Sequence, residues 1–327
     1  MDQVLVTGAS GMLGANLCRR LVQKGLSVRA LARTPLQHPS LSGLSIEEIS
    51  GDILDRHSLE AATRGCQGIF HAAGFISYRN LDRKKMLDIH STGTRNVLEV
   101  GSRQGVQRTV LTSSTATVGV STSDEPLDEQ APFLASYQRN PYMASKRQGE
   151  DFALNFPDME VVSVNPSTIF GAGDVKGNTG HLFQRLQAGR LRWIPPGGTA
   201  MVSVEDCVDG HWAAWTRGKP RQRYILSTAN YSYRELFTEI AAAMDVQPPR
   251  HCLPSWLFPP LQVVMALHDR LGEPLGISQH IVSIGFRNRF FSAQRARQEL
   301  NWKPRQTLAK TLQQAVHFYR QTGLLKQ

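Results

Sequence analysis

The length and composition of the chain are those of an ordinary folded protein. Its 327 residues are 41% apolar and 20% charged, which excludes a disordered or fibrous chain and permits a large buried core. The formal net charge of +10 comes from lysines and arginines spread along the sequence rather than gathered in one basic stripe, so we expect no nucleic-acid partner.

Cysteine usage and the apolar segments bear on metals, compartment and membranes. The four cysteines stand apart without any Cys-x-x-Cys pair, so we expect neither a metal site nor a disulfide framework. An apolar strand begins at Val4 without a preceding signal segment, which indicates a cytoplasmic protein. The apolar stretch at residues 253–267 contains three prolines and is too short to span a bilayer. It predicts a lid or a packed helix, and no stable membrane insertion.

The first half of the chain alternates between strand and helix patterns. An apolar run at residues 4–6, a glycine-rich turn and an amphipathic stretch at 14–24 predict strand, turn and helix. A second apolar run at 28–32 makes this a β-α-β unit with parallel strands. Further strands are predicted at residues 68–72, 109–112 and 161–165, and further helices at 87–104 and 142–155. The alternation predicts an α/β fold with a doubly wound parallel sheet of the Rossmann type.

The pattern changes after about residue 170. Glycine and proline cluster at residues 171–180 and 195–198, which predicts a smaller substrate-binding lobe. Runs at 201–204 and 223–226 predict strands that return to the main sheet. The chain therefore divides into two parts. The domains are a dinucleotide-binding domain at residues 1–170, with a return segment at about 201–227, and a discontinuous C-terminal lobe at 171–200 and 228–327.

A glycine-rich turn lies between the first predicted strand and the first predicted helix. The sequence Thr-Gly-Ala-Ser-Gly-Met-Leu-Gly begins at Thr7. Glycine allows a sharp turn and a close approach of backbone to a pyrophosphate, and the helix N-terminus supplies free N–H groups and a positive dipole. In this β-α-β context the pattern predicts dinucleotide binding. The expected cofactor contacts in the turn are Gly8, Ser10, Gly11, Met12, Leu13 and Gly14.

The end of the second predicted strand favours NADP(H) over NAD(H). A site for NAD places Asp or Glu there to accept a hydrogen bond from the ribose 2′-hydroxyl. Residues 28–33 instead read Val-Arg-Ala-Leu-Ala-Arg. A guanidinium group suits a 2′-phosphate, so we expect Arg33 to contact that phosphate and Arg29 to be structural. A solvated surface arginine is the alternative interpretation of Arg33.

Three residues carry the predicted chemistry. Tyr142 and Lys146 stand four apart, which places them on one face of a helix, and Ser114 ends a strand before them. Hydride addition to a carbonyl forms an alkoxide, which needs a proton donor and a hydrogen bond. A free tyrosine has a pKa of about 10, and a nearby ammonium lowers it. We therefore predict Tyr142 as proton donor, Lys146 as its activator and a ribose contact, and Ser114 as the substrate-oxygen contact. The alternative is a helix with an inward tyrosine and a solvated lysine.

Taken together, these motifs resemble the extended short-chain dehydrogenase/reductases, a family that includes nucleotide-sugar epimerases, 3β-hydroxysteroid dehydrogenases and dihydroflavonol 4-reductases. Residues 28–33 and Asn-Pro-Ser-Thr-Ile-Phe-Gly at 165–171 look most like the dihydroflavonol-reductase branch. The resemblance implies homodimerisation through the helices at 87–104 and 142–155. It also implies cofactor contacts from Asp52, Ile53, Ala72, Ala73, Gly74, Thr112, Tyr142, Lys146, Pro166 and Ile169.

Two positions depart from the pattern of that family. Many of its epimerases carry an arginine before the strand at 202–204 to hold a nucleotide diphosphate, and this chain reads Gly-Thr-Ala at 198–200. The missing cation weakens a sugar-nucleotide interpretation. The active-site asparagine usual before Gly-Thr-x-Asn corresponds here to His90, which is either a substitute donor or a packed histidine.

The expected substrate is a small apolar alcohol, ketone or aldehyde. The candidate pocket walls are Phe75, Ile76, Tyr78, Phe170, Leu182 and Met201. Such a pocket fits an apolar molecule better than a nucleotide sugar. Residues 256–260 are expected to cap the pocket or to touch a membrane surface. The alternatives are a sugar-nucleotide epimerase or dehydratase that retains its cofactor, and a regulatory protein that senses a dinucleotide without turnover.

Overall fold

The structure is a computed structural model that describes residues 2–121, 124–271 and 279–326. Its strands are β1 (Gln3–Thr7), β2 (Ser27–Ala32), β3 (Glu47–Ser50), β4 (Gly68–His71), β5 (Arg108–Thr112), β6 (Glu160–Pro166), β7 (Thr168–Phe170), β8 (Trp193–Ile194), β9 (Gly198–Ser203), β10 (Arg223–Leu226), β11 (Ala229–Ser232), β12 (His251–Cys252) and β13 (Asn288–Arg289). Its α-helices are α1 (Met12–Gln23), α2 (Arg56–Thr63), α3 (Arg83–Leu87), α4 (Gly93–Arg103), α5 (Pro141–Leu154), α6 (Gly180–Gln187), α7 (Val204–Arg217), α8 (Tyr233–Met244), α9 (Phe258–Arg270), α10 (Gln279–Gly285), α11 (Gln294–Glu299) and α12 (Leu308–Gln321).

The main sheet is doubly wound, as predicted. Within the described residues its strands are all parallel and lie in the order β3, β2, β1, β4, β5, β6, β10. The order reverses direction between β1 and β4. Ligands of such sheets bind outside the carboxyl ends of the strands at this switch point. The sequence patterns had not predicted β3 or α2, which complete one edge of the sheet and the layer beside it.

Alternate side chains of the strands pack into two separate layers of core. Val4 and Val6 of β1 pack on the side of α1 and α7, whereas Leu5 packs on the side of α2, α4 and α5. Val161 and Val162 divide between the layers in the same way. Both faces of the sheet are therefore covered, which explains why its strands read as continuous apolar runs.

A smaller sheet forms around β9. Strand β9 pairs in parallel with β7 and β13 and antiparallel with β11. Its lobe has a core of its own, with Phe183 from α6, Leu236 from α8 and Leu312 from α12. The prediction that residues 201–204 return to the main sheet is wrong, because β10 fills the edge of β6 and β9 pairs with β7 instead.

The late apolar stretch forms α9, a helix packed on α10. The rings of Phe258 and Phe286 lie 5.4 Å apart between these segments. The outer face of α9 exposes Val263, Val264 and Leu267. Among the helices that the structure describes, none has both the length and the apolar character needed to cross a membrane.

Candidate active site

A cavity of about 600 Å³ opens at the switch point of the main sheet. One end is formed by the glycine-rich turn and by the loops that follow β4 and β5. The start of α5 forms its floor, with Tyr142 and Lys146. The other end is formed by Ile284 of α10 and Arg289 of β13. The cavity therefore joins the main sheet to the smaller lobe.

The glycine-rich turn has no room for side chains at two of its glycines. Gly8 has a φ of +75°, and a Cβ there would lie 2.6 Å from the carbonyl oxygen of Ala72. A Cβ on Gly14 would lie 2.2 Å from the carbonyl oxygen of Gly8. Helix α1 begins without a side-chain cap, so its first N–H groups are free for an anion. The turn fits the pyrophosphate of a dinucleotide.

Most of the predicted contacts in this turn reach the cavity. Those that line it are Gly8, Gly11, Met12, Leu13 and Gly14. Ser10 lies in the same turn but does not line the cavity. The cofactor end is thus built mainly from backbone, as the chemistry of phosphate recognition at a helix N-terminus requires.

The start of α5 fixes the position of Tyr142. The side-chain oxygen of Asn140 accepts hydrogen bonds from the N–H groups of Tyr142 at 3.0 Å and Met143 at 3.2 Å, and Pro141 occupies the first helical position. Lys146 follows one turn later and donates from Nζ to the carbonyl oxygen of Thr112 at 3.0 Å.

Ser114 completes the predicted trio. Its hydroxyl oxygen accepts from the N–H of Ala116 at 3.1 Å and shares a hydrogen bond with the hydroxyl of Tyr142. Ser114, Tyr142 and Lys146 all line the same cavity. The alternative of an inward tyrosine and a solvated lysine does not describe this arrangement. The three side chains can together hold and protonate a carbonyl oxygen.

The electrostatics of the tyrosine differ from the prediction. Burial raises the pKa of Tyr142 well above its ordinary value, and the hydrogen bond to Ser114 opposes this only in part. The predicted lowering of this pKa by Lys146 is wrong for this structure. Burial lowers the pKa of Lys146 to about 8, with nearby Glu150 acting in the opposite direction. At neutral pH Tyr142 is therefore a phenol, which is the form that donates a proton to a developing alkoxide.

The comparison with families of known proteins decides the identity of the fold. The model of the NAD dependent epimerase/dehydratase family matches residues 4–226, from the first strand of the main sheet to the last. The chain belongs to the NAD-dependent epimerase/dehydratase family. The glycine-rich turn, the predicted trio and the doubly wound sheet all lie within the matched residues.

Relatives within the family are oxidoreductases. The chain is 32% identical to a putative dihydroflavonol 4-reductase of Synechocystis sp., over 99% of this chain and 96% of that protein. It is 28% identical to a 3β-hydroxysteroid dehydrogenase/Δ5→4-isomerase of Mycobacterium tuberculosis, over 98% of this chain and 90% of the relative. The crystal structure of gox2253 matches with a TM-score of 0.89 at 29% identity and covers 100% of both chains. This family member is an oxidoreductase of the extended short-chain type that uses a nicotinamide dinucleotide.

His90, which departs from the family pattern, is held at both ring nitrogens. Its Nε2 accepts from the N–H of Phe75 at 3.1 Å. Its Nδ1 lies 2.9 Å from Oγ of Ser145, whose hydroxyl donates to the carbonyl oxygen of Tyr142, so Nδ1 carries the proton. Burial and the charge of Lys146 lower the pKa of His90 and keep the ring neutral. His90 is a packed histidine that joins the loop at Phe75 to α5.

The loop behind β4 is fixed by a second histidine. The N–H of Ala73 donates to the hydroxyl of Thr7 at 3.2 Å, and that hydroxyl lies 2.7 Å from Nδ1 of His71. The Nε2 of His71 in turn lies 3.1 Å from the hydroxyl of Thr94. Of the predicted contacts in this loop, Ala72 and Gly74 line the main cavity, and Ala73 lines a small adjoining one.

The adenosine end lies beyond β2 and β3. The side chain of Arg33 is 71% exposed, and its guanidinium lies 3.9 Å from the carboxylate of Asp52. Arg29 has a structural role, since its guanidinium lies 2.9 Å from the carboxylate of Glu47 and donates to the carbonyl oxygen of Ala62 at 3.0 Å. Arg33, Asp52 and buried Ile53 lie outside the main cavity.

The remaining predicted cofactor contacts lie at the carboxyl ends of β5 and β6 and in β7. Thr112, Pro166 and Ile169 line the cavity. The hydroxyl of Thr112 lies 2.8 Å from Nε2 of buried His211, which belongs to α7. This contact fixes the end of β5 from the face opposite to α5, so Thr112 can offer its carbonyl oxygen to Lys146.

Half of the predicted substrate walls are in place. Those that line the cavity are Phe75, Ile76 and Tyr78. The predictions for Phe170, Leu182 and Met201 are wrong. Phe170 and Met201 are each 1% exposed in the core of the smaller lobe, and Leu182 packs against that core. The smaller sheet buries these side chains between itself and its own helices.

Sequence reasoning missed further walls of the cavity, which come from the lobe, from the loop after β5 and from the start of α5. They are Val120, Met143, Ile284, Arg289 and Phe291. The predicted cap at residues 256–260 does not line the cavity, and Trp256 is 72% exposed. The guanidinium of Arg289 donates to the hydroxyl of Thr199 at 3.1 Å. The sequence has no cation at position 199, but Arg289 of β13 brings one to Thr199.

Proposed function

We propose that this enzyme is an NADP(H)-dependent reductase or dehydrogenase that acts on a carbonyl or secondary alcohol of an apolar small molecule. The observation that carries the proposal is the convergence of Ser114, Tyr142 and Lys146 at the floor of a cavity with largely apolar walls. The cofactor, when bound, supplies or accepts the hydride. The protein supplies the proton, the hydrogen bonds and the exclusion of water.

The three side chains have separate roles in the proposed reaction. Ser114 donates to the carbonyl oxygen of the substrate and holds it beside Tyr142. The phenol of Tyr142 gives its proton to that oxygen as negative charge develops there. Lys146 carries an ammonium on the same helix face one turn away, where it can hold the ribose of the bound cofactor.

The preference for NADP(H) is supported by the position of Arg33. Its exposed guanidinium follows β2, where the family binds the adenosine ribose. The carboxylate of Asp52 lies 3.9 Å away and leaves most donors of Arg33 free for a 2′-phosphate.

An apolar substrate is supported by the cavity walls and by the named relatives. Ile76, Val120, Ile284 and Phe291 line the end away from the glycine-rich turn. The names of two relatives refer to a dihydroflavonol and to 3β-hydroxysteroids, which are polycyclic molecules with large apolar ring faces. A pocket of this kind gains most of its affinity from the apolar area that the ligand removes from water.

The test begins with fluorescence titration of the purified protein with NADPH and with NADH. NADPH oxidation is then measured against a panel of apolar ketones and aldehydes. We expect tighter binding of NADPH and turnover of at least one panel member. Stronger binding of NADH would contradict the cofactor assignment, and turnover that survives Tyr142→Phe would contradict the catalytic one.

The alternative function is that of a sugar-nucleotide epimerase or dehydratase, and Arg289 is the observation that favours it. The guanidinium lies against Thr199, the position at which many epimerases supply a cation for the diphosphate. UDP is therefore added to the protein in a thermal-shift assay. A rise in Tm with UDP would favour the alternative, whereas no rise together with ketone turnover favours the reductase.

A further inference from the structure

Arg289 brings a positive charge into the substrate end of the cavity. Residue 289 pairs with Thr199 in the register of β13 and β9, and its Nη2 donates to Thr199 Oγ1 at 3.1 Å. The same nitrogen lies 3.5 Å from the hydroxyl of Tyr233, and the guanidinium also bonds the hydroxyl of Tyr78. All of these partners are neutral hydroxyl groups.

No carboxylate of the described residues forms an ion pair with this guanidinium, and the charges acting on it are those of tyrosines. Its Nε is buried and has no hydrogen-bond partner among the residues that the structure describes. A cation withdrawn from water is costly unless an anion and further hydrogen bonds compensate it. The acid that does line the cavity is Asp174, and its carboxylate is already occupied by the N–H groups of Thr179 and Gly180 and the hydroxyl of Tyr319.

The unpaired cation lies close to the catalytic tyrosine. The ring of Tyr78, which bonds Arg289, lies 6.0 Å from the ring of Tyr142. The positive charge of Arg289 also acts to lower the pKa of Tyr142. A group held by Arg289 would therefore lie within a few bonds of a carbonyl held by Tyr142 and Ser114.

Resting on the proposed function, we propose that the substrate is an apolar oxo acid or the corresponding hydroxy acid, with its carboxylate bound by Arg289. Arg289 lines the cavity, and since its Nη2 bonds Thr199 and Tyr233, its Nη1 is left to donate to a carboxylate oxygen. Tyr78 lines the cavity beside Arg289, and its hydroxyl keeps its own proton to donate to the same carboxylate. The guanidinium of Arg289 and the hydroxyl of Tyr78 match the single charge and the two oxygens of a carboxylate.

The test uses substrates that differ by one carboxylate. NADPH oxidation is followed with 3-oxodecanoate, 4-oxodecanoate and 5-oxodecanoate, and with 2-nonanone, which is 3-oxodecanoate without its carboxylate. We expect kcat/KM for at least one oxo acid to exceed that for 2-nonanone by about tenfold or more, mainly through KM, because charge-assisted hydrogen bonds are strong. Arg289→Met should remove this preference, so that the oxo acids and 2-nonanone are then reduced with similar kcat/KM.

Two variants control the interpretation. Arg289→Lys keeps the charge without the planar fork and should retain part of the preference. Arg287→Met removes an exposed arginine of the same segment, whose guanidinium lies over the ring of Phe258, and should leave all the kinetics unchanged. The Tm of each variant shows whether it folds. An equal loss for acid and ketone in a folded Arg289→Met would overturn the carboxylate assignment.

The outcomes separate this inference from the proposed function. Turnover of 2-nonanone without any preference for oxo acids overturns the inference and leaves the reductase in place. If NADPH binds but no probe is reduced, the proposed function fails. Binding of a carboxylate to the NADPH complex then tests the inference by itself. Decanoate should then raise the Tm of the NADPH complex in the wild type but not in Arg289→Met. No rise, or a rise with UDP that depends on Arg289, would overturn it.

Discussion

The two ends of the cavity are built in different ways. The cofactor end comes from strand-turn-helix units in which neighbouring residues act together, such as Gly8 to Gly14 between β1 and α1. The substrate end comes from segments far apart in sequence, such as Tyr78, Val120 and Arg289. Local motifs therefore determine how the cofactor is held, and long-range packing determines which substrate fits.

Their charges differ as well. At the cofactor end Arg29 pairs with Glu47, and Arg33 lies near Asp52 at the surface. At the substrate end Arg289 has neutral hydroxyl partners and a buried Nε without any partner among the described residues. A cation in a cavity without an anionic partner indicates that the ligand carries an anionic group. Paired surface charges carry little information about a ligand.

The largest effect is expected at the boundary between the two ends. Tyr142→Phe removes the proton donor but keeps the ring, so kcat for reduction should fall by about a thousandfold. The affinity for NADPH should stay within about twofold by fluorescence titration, because general acid catalysis contributes to rate rather than to binding of the cofactor. Tyr231→Phe, in the smaller lobe, serves as the control and should keep full activity. A drop in both activity and NADPH affinity would show that the two ends are not separable.

The second prediction concerns the stability of the lobe. Asp174 is 2% exposed and accepts from the N–H groups of Asn178, Thr179 and Gly180. Asp174→Ala leaves these buried donors unsatisfied, so the free energy of unfolding in urea should fall by about 3 kcal/mol. Asp158→Ala changes an exposed side chain and should lower it by less than about 0.5 kcal/mol. Equal stability of the two variants would contradict the role of Asp174.

The third prediction concerns cofactor choice. Arg33→Ser removes the cation proposed to bind the 2′-phosphate, so Kd for NADPH should rise by about tenfold to thirtyfold and Kd for NADH should stay unchanged. Arg29→Met should lower Tm through its lost contacts with Glu47 and Ala62 and leave the ratio of the two affinities unchanged. If the ratio of the affinities for NADPH and NADH is unchanged in Arg33→Ser, Arg33 is only a solvated surface residue.

The smallest effect is expected from pH. The pKa of Lys146 is lowered to about 8 by burial, so its ammonium is present below pH 8 and is lost as the pH rises above it. The pKa of Tyr142 is raised, so the phenol persists through this range. We expect kcat/KM for reduction to be level from pH 6.5 to 7.5 and about tenfold lower per unit well above pH 8. Lys146→Arg, which cannot lose its charge, should remove this decline even if its rate is lower. A level wild-type profile to pH 10 would contradict the role of the ammonium.

The features that the sequence predicts correctly are those fixed by local position along the chain. The trio of Ser114, Tyr142 and Lys146 was predicted correctly as a cluster because each residue is fixed by its place at a strand end or a helix start. The environment of the trio was not predicted. The pKa of Tyr142 depends on burial by the whole surrounding structure, and burial outweighs the charge of Lys146 that the motif suggested.

The predictions of pocket walls failed on two strands that belong to the smaller sheet and not to the main one. Phe170 and Met201 lie on β7 and β9, which pair with each other and turn these side chains into the core of the lobe. Nothing near position 289 in the sequence marks it as part of a site, because Arg289 reaches the cavity only through the pairing of β13 with β9. His90 was left open between two roles, and its partners at Phe75 and Ser145 decided between them.

The sequence by itself determined the doubly wound sheet, the glycine-rich turn and the positions of Ser114, Tyr142 and Lys146 at a strand end and a helix start, because each depends on local residue patterns. The tertiary structure decided the charge of the substrate end, the tautomer of His90 and the identity of the pocket walls. These depend on contacts between segments separated by tens to hundreds of residues, as in the hydrogen bond between Arg289 and Thr199. Such contacts are fixed by how whole elements pack, and local patterns do not encode them.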